Sequence, residues 1–204
     1  VKKRAAAGYD PDDFLLFNAA EFNKNKNQQL MIQALALLKD EVPNAKLLLA
    51  GQGGLLEHCR ETAIHLGVGD RVRFLGQRND IDALLPICDV AVASSLREGL
   101  PVNIMEAMAC GLPIVVTHNR GHSELIEDQA NGYVITGLDT HSFAARLFEL
   151  SQSKYLCRKM GMENLKRVVP YSLPEVGAEL YGIYSQYMSE ETDETESQYS
   201  RSYL

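Results

Sequence analysis

Residues 90–116 read VAVASSLREGLPVNIMEAMACGLPIVV, and the order of residue types in this stretch decides the fold. Val90 to Ala93 is a short apolar run, residues 94–101 are a polar loop with Gly99 and Pro101, Val102 to Cys110 has helical periodicity, and Ile114 to Val116 is apolar again. That is strand, loop, helix, strand. The alternation continues outward in both directions. Phe14 to Ala19, Lys46 to Ala50, Val72 to Leu75 and Tyr133 to Ile135 read as further strands. Leu30, Ile32, Ala34, Leu35, Leu37 and Leu38 mark a first helix, Leu55 to Leu66 a second and Ile81 to Ile87 a short third. Three more are expected after the last strand: Ser142 to Leu150, Lys154 to Val168 and Pro174 to Met188. Strands apolar on both faces, joined by helical crossovers, imply a parallel sheet covered on both sides. The expected fold is therefore α/β: a doubly wound, mostly parallel six-stranded Rossmann-like sheet with extra C-terminal helices. In such a fold, ligands bind beyond the C-terminal ends of the strands.

Composition narrows the function. With 204 residues, 46% hydrophobic and 23% charged, the chain can bury one substantial core. A net charge of −7 excludes a broad nucleic-acid surface, which needs clustered Lys and Arg. Cys59, Cys88, Cys110 and Cys157 have no C-x-x-C spacing, so neither zinc nor a disulfide framework is suggested and a reducing cytoplasm fits. No apolar run approaches the roughly 20 residues that span a bilayer. The opening at Val1, followed by Asp10-Pro11-Asp12-Asp13, reads as a linker (1–13) from a missing N-terminal domain; 14–188 is the domain, and 189–204 an acidic tail expected to be disordered.

The segment from Ser94 to Ala107 is the richest in chemistry. Gly99 permits close backbone approach, Pro101 suits a first helical turn, and the uncapped N–H groups that follow make an anion site. Glu98 and Glu106 are suited to accept hydrogen bonds from hydroxyl groups. Two arbitrary glutamates would more often complement a helix dipole or face water. Phosphate donors beside hydroxyl acceptors nevertheless point to a nucleotide sugar. Here the sequence resembles the retaining group 1 (family 4) glycosyltransferases of the GT-B fold, whose C-terminal domains carry a Glu-x7-Glu signature matched by Glu98 and Glu106. The likeness continues through Glu106-Ala107-Met108-Ala109-Cys110-Gly111-Leu112-Pro113-Ile114-Val115, and extends over roughly Phe14 to Met188. It implies that Glu98 contacts the donor sugar's hydroxyls, that Glu106 holds the ribose, and that amides around Gly99, Leu100, Val102 and Asn103 face the diphosphate.

Upstream, Ala20-Glu21-Phe22-Asn23-Lys24-Asn25-Lys26-Asn27 places a cation at a second strand end. The resemblance aligns Lys26 with the family's phosphate-binding lysine, while Glu21 replaces its usual arginine; some polysaccharide-assembly members look similar. Lys24 reads as a solvated lysine. Gly51-Gln52-Gly53 departs from the dinucleotide fingerprint at Leu56 and is a tight turn, which the resemblance places beside the nucleotide. Arg78, after Phe74-Leu75-Gly76, is a candidate for the nucleobase pocket, with a surface arginine the equal alternative. Gly121-His122-Ser123-Glu124 resembles a family segment near the transferred sugar. His122 is set aside as a base, because such members take their important histidine from the other domain. His58, His65, His118 and His141 lack ligand spacing, and Asp10-Pro11-Asp12 lies in the linker, so no metal site is expected.

The resemblance implies a cytoplasmic glycosyltransferase taking a sugar, UDP-linked by preference, to a glycan or lipid-linked acceptor. The acceptor, and any contact with the inner membrane face, belong to the missing domain. It implies no cofactor beyond the nucleotide sugar as substrate, with Glu98 and Lys26 as catalytic residues. Two rivals stand beside it: a nucleotide-sugar-binding module without turnover, suggested by Glu21, and a Rossmann oxidoreductase, disfavoured by Leu56.

Overall fold

The computed structural model describes residues 2–201, with side chains described for residues 4–187. It divides into two compact units, Val1–Arg167 and Val168–Leu204. The first begins with α1 (Lys2–Ala6), β1 (Phe14–Ala19), α2 (Gln28–Leu37), β2 (Ala45–Ala50), α3 (Leu56–His65), β3 (Val72–Gly76) and α4 (Ile81–Leu84). It continues with β4 (Val90–Ala93), α5 (Val102–Ala109), β5 (Ile114–Thr117), α6 (Arg120–Leu125), β6 (Gly132–Ile135), α7 (Thr140–Gln152) and α8 (Lys154–Arg167). The second unit holds a 3-10 turn, Val169–Tyr171, and α9 (Leu173–Arg201).

All six strands are parallel, in the order β3-β2-β1-β4-β5-β6. The chain thus winds outward from β1, returns to its other side at β4, and winds outward again. Because crossovers between parallel strands are right-handed, this reversal places α2 and α3 on one face and α5 and α6 on the other. The packing follows, with α2 against α3 and α7, and α5 against α6 and α8. Leu15, Leu16, Leu47, Leu48, Leu49, Val90 and Val115 are at most 1% exposed; each aliphatic side chain so buried stabilises the fold by about 1.5–3 kcal/mol. β3 departs from the expected both-faces pattern: Arg73 is exposed, because an edge strand is covered less fully.

Two elements were not anticipated. Helix α6 begins where Asn119 caps the amide of His122 at 3.0 Å. Helix α1 lies inside the segment read as a linker, and Arg4 reaches the Ile87 carbonyl at 2.6 Å and the Asp89 carboxylate at 2.7 Å. The third helix stops at Leu84 and tightens into a 3-10 turn, Leu85–Ile87, because Pro86 has no N–H for an α-helical bond. On α9, Tyr181 and Tyr184 are exposed; Met188 and the expected disordered tail, 189–204, lie outside the described side chains.

Candidate active site

The reversal of strand order between β1 and β4 opens a crevice between the loops that follow them. The first loop, residues 20–27, and the second, residues 94–101, are stapled together by short polar side chains. Asn25 donates from Nδ2 to the Arg97 carbonyl at 3.0 Å and accepts at Oδ1 from the Arg97 amide at 3.1 Å. The Ser94 hydroxyl reaches the carbonyls of Lys26 at 3.1 Å and Asn27 at 2.7 Å. Asn27 takes a left-handed backbone, φ 48°, which turns the chain into α2. Asn103 of α5 crosses the crevice to the last carbonyl of β1, Ala19, at 3.1 Å.

This scaffold brings Lys26 and Glu98, 72 residues apart in sequence, to 2.6 Å between Nζ and Oε1. Their side chains are 24% and 13% exposed. Burial pushes the Glu98 carboxyl up, but hydrogen bonds from Lys26 and Ser95 and the charges of Lys26 and His122 outweigh it and hold it below its ordinary value. Glu98 is therefore an ionised acceptor at neutral pH. Directly after it, the amides of Gly99, Leu100, Val102 and Asn103 find no acceptor among the described residues, whereas Ile104 and Met105 both donate to Pro101. Four free N–H groups at the positive end of α5, next to an ammonium, form a site for an anion. Glu106 is exposed in the second turn of the same helix.

From the far side the wall is built by β5 and α6. The Ser95 carbonyl accepts from Thr117 Oγ1 at 2.8 Å and from Asn119 Nδ2 at 3.0 Å. The Gly121 amide donates to the Glu98 carbonyl at 3.2 Å. A Cβ on Gly121 would stand 2.3 Å from the Gly99 carbonyl oxygen, so only glycine fits. Gly51 and Gly53 are explained in the same way: at φ 136° and 149°, an added Cβ would meet the Ala20 oxygen at 2.0 Å and the Phe22 oxygen at 2.4 Å. They let the loop after β2 lie on the loop after β1.

Not every expected residue joins the crevice. Arg78 follows β3, two strands from the reversal, is exposed, and is held by Asp80 with Nε 2.8 Å from Oδ1. Glu21 accepts from the side chain of Asn23 at 3.0 Å, and Lys24 is exposed. Asp10 and Asp12 shape a turn, with the Asp12 amide on Asp10 Oδ1 at 2.9 Å. Among the described residues there is no group of three or more His, Cys, Asp or Glu able to hold a metal ion, and no helix long and apolar enough to cross a membrane. Asn25, Ser94, Ser95 and Asn119, which hold the two loops in place, were given no role of their own in the sequence. Their only signal was small polar residues just beyond predicted strand ends.

Residues 2–167 match the family described as Glycosyl transferases group 1. The chain belongs to that family. EpsD of Bacillus subtilis strain 168, which carries the name of a glycosyltransferase, is 43% identical over 192 residues, 94% of this chain and 50% of EpsD. N-acetyl-alpha-D-glucosaminyl L-malate synthase of Bacillus anthracis is 33% identical over 154 residues, 76% of this chain and 40% of that protein. The chain thus spans half or less of the length of these relatives. Among solved structures, HepE of Anabaena in complex with UDP and glucose superposes with a TM-score of 0.84 at 23% identity, over 91% of this chain and 51% of HepE.

Proposed function

We propose that this chain is the donor-binding half of a retaining glycosyltransferase, taking a sugar from a nucleoside-diphosphate donor, UDP-linked by preference, to a glycan or lipid-linked acceptor. One observation carries the reading: Lys26 and the four free amides of Gly99, Leu100, Val102 and Asn103 converge beside ionised Glu98 at the strand-order reversal. The amides and Lys26 bind the diphosphate, and they stabilise it further as the bond to the sugar breaks and the leaving group gains charge. Glu98 accepts from sugar hydroxyls and Glu106 from the ribose. The charge stabilisation comes from these groups and calls for no metal ion or further cofactor. UDP-bound relatives of the same fold support the nucleotide, and the half-length match to curated relatives supports a partner domain for the acceptor. Water exclusion and acceptor placement would belong to that second domain, acting in a cytoplasmic enzyme.

Calorimetric titration tests the reading. UDP, or failing that GDP, binds the isolated chain weakly, while sugar transfer appears only when the chain is joined to its preceding domain. Absence of binding by either nucleotide at millimolar concentration sinks the donor site. Robust transfer by the chain alone, abolished in Glu98→Ala, sinks the half-enzyme assignment.

A further inference from the structure

His122 lies outside the roles given above, yet its surroundings are unusual. The residue is fully buried, and its Nε2 is the buried side-chain polar atom left without a hydrogen-bond partner among the described residues. The other ring nitrogen, Nδ1, stands 2.7 Å from the Thr117 carbonyl oxygen, which can only accept, and 2.8 Å from Asn119 Nδ2, which can only donate and already donates to Ser95. The two contacts ask for opposite tautomers, and the shorter one, to Thr117, puts the proton on Nδ1 and a lone pair on Nε2. An unsatisfied buried nitrogen costs about 1–3 kcal/mol, and a core position could have held an apolar side chain instead. The residue before it, Gly121, is bonded through its amide to Glu98 and packs on the Glu98 side chain, a Cβ there standing 2.9 Å from that of Glu98.

The charged groups that act on the ring are Glu98, from the loop after β4, and Lys26, from the loop after β1; the end of β5 offers only the neutral Thr117 carbonyl and Asn119. Burial holds the imidazole below its ordinary value, helped by Lys26 and opposed by Thr117 and Glu98. While Lys26 is paired with Glu98, the imidazole has every reason to stay neutral. A diphosphate alters that balance, because it draws the Lys26 ammonium to itself and adds negative charge to the crevice.

We propose that His122 is a positioning residue for Glu98, which gains a proton when a nucleotide sugar binds and takes over from Lys26 as the buried cation beside the Glu98 carboxylate. Glu98 then keeps its charge and its orientation toward the sugar while Lys26 serves the diphosphate. The inference rests on the donor-site reading above. The step is a simple protonation, with solvent as the proton source, and it has a thermodynamic signature. A ligand that raises a group's pKa takes up protons on binding, and its affinity increases as pH falls through the bound-state value.

The test is titration of this chain with UDP-glucose, whose diphosphate is esterified at both ends and does not titrate near neutrality. Runs in buffers of different ionisation enthalpy between pH 6 and pH 8 measure protons taken up per ligand bound. The parent takes up a fraction of a proton, and its affinity rises toward pH 6 by up to about tenfold if binding lifts the imidazole by about one pK unit. His122→Asn keeps a donor for the Thr117 carbonyl but has no titrating atom; it folds, binds and shows neither proton uptake nor pH dependence. His122→Gln, with an uncharged amide near the Nε2 position, binds with an affinity independent of pH. Binding without proton uptake by the parent, or uptake that survives in His122→Asn, overturns the proposal and leaves the donor site standing. Failure of the parent to bind at millimolar concentration removes both.

Discussion

Replacing Lys26 by Met isolates the charge at the centre of the crevice. The Lys26 side chain is 24% exposed and that of Glu98 13%, so the pair is neither a solvated surface bridge nor fully interior. A hydrogen bond to a charged group contributes about 1.5–3 kcal/mol, and breaking a fully buried pair costs about 3–5 kcal/mol. With partial solvent access the lower range applies, and about 2 kcal/mol is expected for Lys26→Met at pH 8, where His122 is neutral. For a unit of this size that is about 4–8 °C in Tm. The sign follows from Glu98, whose carboxyl is held below its ordinary value in the folded chain. Such a group adds stability that is present above the unfolded pKa, about 4.3, and lost as pH falls through the folded value. The gap between parent and Lys26→Met therefore narrows below about pH 4, because a protonated Glu98 needs no partner. Adding Glu98→Gln to Lys26→Met restores part of the loss at pH 8, since it removes the stranded charge. Thermal unfolding of the three proteins at pH 8 and pH 3 measures all of this. A loss equal at both pH values, or untouched by Glu98→Gln, would show that the lysine stem's packing and not its charge matters, and would refute the reasoning.

Further substitutions probe the remaining walls of the site. Gly121→Ala forces a methyl group to within 2.3 Å of the Gly99 oxygen; overpacking costs about 1–3 kcal/mol, and calorimetry should show UDP affinity falling with it, whereas unchanged affinity would detach α6 from the crevice. Glu106→Ala, at an exposed position, should weaken UDP binding by about 1 kcal/mol without altering Tm; equal affinities would remove Glu106 from the ribose. Asn25→Ala deletes both side-chain bonds to Arg97 and should cost about 1–2 kcal/mol in denaturant unfolding, together with weaker UDP binding as the loop carrying Lys26 loosens. Loss of stability with no change in binding would make the staple purely structural.

The fold was legible in residues 90–116 and their repeats because a buried parallel sheet leaves a local mark: apolar runs of strand length, each followed by a helical period. Phe14–Ala19 and Val90–Ala93 have the same bounds in sequence and structure, since both are central strands buried on both faces. Glu98, Lys26 and the glycines were legible for a different reason, the likeness of their motifs to a family. The short helix α6 was hidden because six residues carry too little periodicity, and its start is fixed by one asparagine side chain.

What the sequence by itself determined is the alternation of elements and the identity of the charged and glycine residues at strand ends. Tertiary structure alone decided which of them meet. The strand order β3-β2-β1-β4-β5-β6 puts the ends of β1 and β4 side by side, which brings Lys26 to Glu98 and leaves Arg78 two strands away. No local pattern encodes that order. It follows from how apolar faces cover one another across the whole sheet, under the right-handed rule for crossovers. The orphaned Nε2 of His122 is of the same kind: whether a histidine is a surface group or a buried one depends on what packs over it, and that is decided by residues far away in the chain.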